Sequence, residues 1–182
     1  SGEGDTARLT LSAKVQNAAL EAMGSRKGTV AVYNYKTGEI LCALTTPTYD
    51  PENVPDIASD TTGAYDGVYL NRFVQSSYVP GSIFKIVTLS AALDCVPGIE
   101  EKTFPCKGKL TYGSGSNTEA VTCEKAHGNQ SIKQAFANSC NCAFAQIAEL
   151  VGRDNMVKYV RQFQVTQRLS FDGITTAAGN YD

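Results

Sequence analysis

Ser82 and Lys85 stand three residues apart in the stretch 78–93, YVPGSIFKIVTLSAAL. On a helix that spacing puts a hydroxyl and an amine on one face, within a turn of each other. Pro80-Gly81 precedes them and the rest is apolar on nearly every side, so the pattern predicts a turn feeding a buried helix whose first residue is Ser82. Thr88 and Ser90 are the helix's other polar side chains. A lysine among apolar groups is costly to keep charged. A neutral amine beside a hydroxyl at a helix N-terminus can make serine nucleophilic without histidine. The same two residues also suit a simpler arrangement, an N-capping serine with a lysine snorkelling to the surface.

A second polar group, Ser139-Cys140-Asn141, interrupts two apolar segments. A short polar break between helices can lean over a cleft. Its serine could relay a proton, and its asparagine could hold a peptide-like substrate. Asn138, Ser139 and Asn141 could equally do no more than cap helix ends.

The elements that must position these residues follow from periodicity. Residues 9–23, LTLSAKVQNAALEAM, form an amphipathic helix capped by Ser12 and stopped by Gly24, with Val15, Ala18, Ala19, Ala22 and Met23 at helical spacing. Residues 28–35 and 39–46 are β-rich and joined by Lys36-Thr37-Gly38, which predicts a hairpin. Residues 47–69 lose periodicity and predict a long surface loop; 71–77 predict a short helix or turn. Residues 94–128, dense in Gly, Ser and Thr, read as irregular, and the tail to residue 182 shows no clear element. Three further helices are expected. One spans 131–137 with Ser131 as cap, and another spans 142–151 and ends at Gly152. The last spans 154–163 with Met156, Val157, Val160 and Phe163 as its buried stripe. Neither repeat nor domain boundary is visible.

With 182 residues, 42% of them hydrophobic, the chain can bury a real core in one domain. A net charge of −2 leaves no basic footprint for nucleic acid. No apolar run is long enough to cross a bilayer, and the opening Ser1-Gly2-Glu3-Gly4-Asp5 reads as a cut end with no signal-peptide pattern.

Taken together, Tyr78-x-Pro80-Gly81-Ser82-x-Phe84-Lys85 followed by Ser139-Cys140-Asn141 resembles the transpeptidase domain of penicillin-binding proteins, of the class B (monofunctional) type. The helix, the hairpin GTVAVYNYKTGEILCALTTPTYDP, Asn71-Arg72 and His127-Gly128 share the look of that family, from about Leu9 to Phe163. The resemblance implies an α+β fold of the serine β-lactamase and penicillin-binding-protein type, here truncated and mostly helical with an N-terminal β-hairpin. It implies that Ser82 attacks the penultimate D-alanine of a peptidoglycan stem peptide and that Lys85 takes its proton. Ser139 would relay a proton to the departing D-alanine, and Asn141 would bind the substrate amide. β-Lactams would acylate Ser82. Neither metal nor organic cofactor is implied. A β-lactamase or β-lactam sensor of related fold would share Ser82 and Lys85, and a non-catalytic derivative is the other alternative.

The family also carries a Lys-[Thr/Ser]-Gly motif on a cleft strand well beyond the second motif. Lys36-Thr37-Gly38, between the two N-terminal strands, is a decoy. Too little chain follows Asn141 to supply that strand, so residues 1–182 are expected to be a partial transpeptidase domain whose hairpin exposes an edge open to pairing between copies. The resemblance places the protein outside the cytoplasmic membrane, anchored through a segment that this chain lacks. Disulfides persist there, and Cys106 and Cys123 in one loop are a candidate pair. Cys123-x-x-x-His127 has metal-ligand spacing without a second tight pair, so no metal is expected. Cys42, Cys95, Cys140 and Cys142 read as small core residues, and His127 as a structural hydrogen-bonder.

Overall fold

The computed structural model describes residues 4–113 and 115–181. They fall into two compact units, Ser1–Ser77 with Leu169–Ala177, and Tyr78–Arg168 with Ala178–Asp182.

In the first unit, helix α1 (Ala13–Met23) starts where the Ser12 hydroxyl accepts the Val15 N–H, and stops at Gly24, whose φ of 52° suits glycine. Strands β1 (Gly28–Tyr33) and β2 (Ile40–Thr46) pair antiparallel, from Gly28 opposite Thr46 to Tyr33 opposite Ile40, with an irregularity after Val32. Lys36-Thr37-Gly38 lies in the connecting turn, with Gly38 at φ 78°. Alternate β2 residues Cys42, Leu44 and Thr46 are buried, the period-2 pattern of a one-sided strand, and α1 packs on β2. The α1 face is narrower than periodicity suggests: Val15, Ala19 and Met23 are half-buried, whereas Ala18 and Ala22 are exposed. After a long connection holding one 3₁₀ turn (Ile57–Ser59), α2 (Arg72–Gln75) is capped by Asn71, which accepts the Phe73 N–H.

The second unit carries the catalytic candidates. A 3₁₀ turn (Gly81–Phe84) leads into α3 (Lys85–Cys95). The segment expected to be irregular holds three short strands and meets a fourth: β3 (Thr103–Cys106), β4 (Lys109–Tyr112), β5 (Glu119–Thr122) and β6 (Gly128–Ser131). β3 pairs with β6 and β4 with β5, both antiparallel. Each strand has four residues, too few for alternation to stand out from Gly-, Ser- and Thr-rich surroundings. The fold is α+β as expected, with more strand than an N-terminal hairpin alone.

Helix α4 (Ile132–Ala137) has a full capping box between Ser131 and Gln134, α5 (Asn141–Val151) ends at Gly152, and α6 (Arg153–Gln162) follows at once. Helix α3 packs against α5 and α6. Ala91, Ala92, Ala135 and Ala143 are fully buried, so the helices approach closely around Phe104, Phe144, Ile147 and Val160. The buried stripe of α6 is Met156, Tyr159 and Val160; Phe163 caps the helix and is 46% exposed, which corrects its placement in the core. The Tyr159 hydroxyl donates to the Asp94 carboxylate.

The tail returns to the first unit as a hairpin, β7 (Ser170–Phe171) against β8 (Ile174–Thr175), around Asp172 at φ 46° and Gly173 at φ 78°. Two successive positive φ values are the signature of a type I′ turn. Among the described residues, no helix is long and apolar enough to cross a membrane.

Candidate active site

Ser82 lies in the 3₁₀ turn, and α-helical geometry begins only at Lys85. Gly81 at φ 56° turns the chain into this segment, a conformation glycine takes without a Cβ penalty. The i to i+3 relation survives the tighter winding, since residues three apart eclipse on a 3₁₀ turn. Lys85 Nζ donates to Ser82 Oγ at 2.9 Å.

The two sequence motifs meet at that amine. Lys85 Nζ also donates to Ser139 Oγ at 3.1 Å and to Asn141 Oδ1 at 2.7 Å. The Ser139 hydroxyl donates to Ser82 Oγ at 2.9 Å, closing a triangle of two hydroxyls and one amine. An ammonium has three N–H donors, and these three acceptors match them one for one. When the amine gives up a proton, its lone pair faces the same hydroxyls. The Phe144 ring lies below, its centroid 5.9 Å from Nζ, within cation–π range. Lys85 is half-buried, while Ser82, Ser139 and Asn141 are exposed, so reactants have access to the hydroxyls.

Ser139 sits between α4 and α5 at φ 48°, a left-handed conformation uncommon for a residue with a Cβ. Such positions cost on the order of 1–3 kcal/mol and persist where the surroundings enforce them. Here Ser139 N–H donates to Phe136 O and Cys140 N–H to Ala135 O, folding the chain back at the end of α4. Asn138 Nδ2 donates to Oε1 of the buried Gln130. The result aims the Ser139 hydroxyl at Ser82. Asn141, the first residue of α5, is fixed at both ends of its amide, because Nδ2 donates to Thr122 O at 2.9 Å. That bond assigns the amide orientation and leaves Oδ1 toward the lysine. Thr122 and Phe144 carry no motif of their own, and only the fold brings them here.

The cysteines are arranged differently from the sequence expectation. No disulfide joins Cys106 and Cys123; among the described residues all six cysteines are free thiols. Instead β3, the β5–β6 connection and the start of α5 converge and bring a third thiol and an imidazole against the same pair. Ligand atoms of Cys106, Cys123, His127 and Cys140 all lie within 4.8 Å of one another. Cys140 is a buried core residue as expected and also lies against this pair, a position that its spacing of 17 residues beyond Cys123 did not signal. Burial opposes ionisation of Cys106, but the Gly108 and His127 N–H groups and the His127 ring outweigh it and bring its pKa down to about 6. Burial, with the Cys123 thiol beside it, pushes Cys142 up to about 12.

Residues 28–182 match the family model described as the penicillin-binding protein transpeptidase domain. Stage V sporulation protein D of Bacillus subtilis is 33% identical over 177 residues, covering 91% of this chain and 26% of that protein. Among solved structures, a D,D-transpeptidase domain of a peptidoglycan glycosyltransferase from Eggerthella lenta is 33% identical with a TM-score of 0.75, covering 93% of this chain and 40% of that one. Penicillin-binding protein A from Mycobacterium tuberculosis, as its ceftriaxone acyl-enzyme, shares the fold at 24% identity and a TM-score of 0.72, covering 93% and 41%. The chain thus spans about a quarter of the curated relative's length. With the family model covering most of its residues and both family motifs converging on one amine, the chain belongs to the penicillin-binding-protein transpeptidase family.

Proposed function

We propose that this chain carries the nucleophile of a peptidoglycan D,D-transpeptidase of the class B type, acting on stem peptides outside the cytoplasmic membrane. The observation that supports it most is Lys85 Nζ within hydrogen-bond reach of Ser82, Ser139 and Asn141 at once. Ser82 Oγ attacks the carbonyl carbon of the penultimate D-alanine while Lys85 Nζ accepts its proton. The backbone N–H of Ser82 is one donor to the oxyanion, a contribution typically worth about 3 kcal/mol of barrier. When the tetrahedral intermediate collapses, the proton passes through Ser139 Oγ, 2.9 Å from Ser82 Oγ, to the nitrogen of the departing D-alanine. The amine of a neighbouring stem peptide then attacks the ester and regenerates Ser82. Asn141 holds Lys85 in place, and the second N–H of its amide is the group proposed to bind the substrate backbone.

A β-lactam presents its strained amide to the same serine, and the ring nitrogen stays tethered to the acyl group after opening. A β-lactamase of related fold would carry the same first step but hydrolyse the ester quickly. Incubating the full-length gene product with a labelled penicillin and following its intact mass separates the two. A stoichiometric adduct that persists for many minutes is expected; adduct that turns over within seconds would favour the β-lactamase reading.

A further inference from the structure

We propose that Cys106, Cys123, His127 and Cys140 form a closed structural Zn²⁺ site that anchors the Ser139–Asn141 elbow. The four come from three places in the second unit: the end of β3, the connection between β5 and β6, and the N-cap of α5. β3 and β6 set Cys106 opposite Gly128, next to His127, and the His127 N–H donates to Cys106 O at 3.1 Å. The ring reaches the same residue, with Nδ1 3.5 Å from Cys106 Sγ. Cys123 Sγ lies 3.8 Å from Cys140 Sγ. Zinc–sulfur bonds of about 2.3 Å at tetrahedral angles place sulfurs roughly 3.8 Å apart. The whole donor set, within 4.8 Å, needs only small side-chain adjustments to close on one ion.

Packed as ordinary core thiols, these residues would not call for an imidazole nitrogen facing sulfur, or for backbone donors aimed at sulfur. Both are present. Ala143 N–H donates to Cys140 Sγ at 3.4 Å and Cys142 N–H to Cys123 Sγ at 3.4 Å. N–H groups at the start of α5 favour negative charge, and donors of this kind orient metal-bound thiolates. Three soft sulfurs and one imidazole select a tetrahedral ion, zinc before the harder cations. Binding replaces three S–H protons, which leave to solvent, and uses a neutral imidazole through Nδ1, so the filled site carries one net negative charge. Four protein ligands leave no open position for catalysis; the ion's role is structural. Cys140 is flanked directly by Ser139 and Asn141, so fixing its sulfur fixes the two residues that contact Lys85.

The site is independent of the proposed acylation chemistry, and its test reads metal, not activity. The purified, reduced chain is expected to contain about one zinc per molecule by inductively coupled plasma mass spectrometry. Replacing zinc by Co²⁺ should give thiolate-to-cobalt charge-transfer absorption with the intense visible bands of tetrahedral cobalt. Cys123→Ser and His127→Ala are each expected to lose most of the zinc, while Cys42→Ser, in the other unit, keeps it. Should a variant misfold, the cobalt spectrum of the unaltered chain still decides. Stripping the metal should raise amide hydrogen exchange across residues 138–143 by about tenfold or more. Zinc-free chain that takes up neither Zn²⁺ nor Co²⁺ when reduced, or a Cys106–Cys123 disulfide found by alkylation and mass spectrometry, would overturn the site. Unchanged exchange at 138–143 would overturn its anchoring role.

Discussion

Lys85→Ala is expected to lower the rate at which a penicillin acylates Ser82 by about 10²- to 10⁴-fold in the full-length gene product, the range for loss of a positioned general base. The amine is 2.9 Å from Ser82 Oγ, and the other group on that oxygen, the Ser139 hydroxyl, is itself a poor base. Alanine is the best helix former and stands here at the first position of α3, so the helix should survive. What the fold loses is the lysine stem and a cation over the Phe144 ring, a modest change for a half-buried side chain. Lys85→Arg separates two explanations. A guanidinium keeps the positive charge but does not deprotonate in proteins. If Lys85 acts as the base, arginine rescues nothing; if it acts only as a fixed charge, arginine restores much of the rate. Stopped-flow acylation with a chromogenic cephalosporin reads the difference.

Ile147→Ala is expected to destabilise the second unit by about 2–5 kcal/mol, the usual cost of emptying a fully packed aliphatic site. Ile147 is 0% exposed in the middle of α5, among Val87, Phe104, Ile132 and Val160 of the core. For a chain of this length, each kcal/mol moves the melting temperature by about 2–4 °C. One turn further on, Leu150 is 48% exposed. Leu150→Ala should therefore stay within about 0.5–1 kcal/mol of the unaltered protein. Urea unfolding followed by circular dichroism checks both. Equal effects would mean that α5 buries a different face from the one described. Because Asn141 opens the same helix, loosening α5 should also reduce acylation at temperatures well below the melting point.

The contact between Ser82 and Lys85 was legible in the sequence because its signal is local. Pro80-Gly81 forces a turn, the hydroxyl and the amine stand three positions apart, and apart from Thr88 and Ser90 the rest of 86–93 is apolar. That pattern does not distinguish a 3₁₀ turn from an α-helix, since residues three apart share a face in both; hence the reading set the start of the helix at Ser82, which lies in the 3₁₀ turn ahead of it. The elbow at 139–141 was legible as a polar break, but the left-handed Ser139 was not, because nothing in the residue type demands it.

The missed strands have their own reasons. β3 to β6 are four residues each and paired only two by two, so each shows at most two buried positions. The β7–β8 hairpin did carry a signal, Asp172-Gly173, but its flanking strands of two residues hid it. Cys140 read as core because it is core, 0% exposed; its convergence with Cys106, Cys123 and His127 depends on strand pairing that spacing does not encode. Phe163 failed for a simpler reason, since the helix ends one residue before it.

The most direct test of Ser82 as the nucleophile is the position of the acyl group after reaction with a penicillin. Trypsin cuts after Arg72 and Lys85, so the serine lies in the peptide 73–85. Tandem mass spectrometry should place the added mass on Ser82 of that peptide, and the Ser82→Ala protein should stay unlabelled. A stable adduct on another residue, or labelling that persists in Ser82→Ala, would contradict the account.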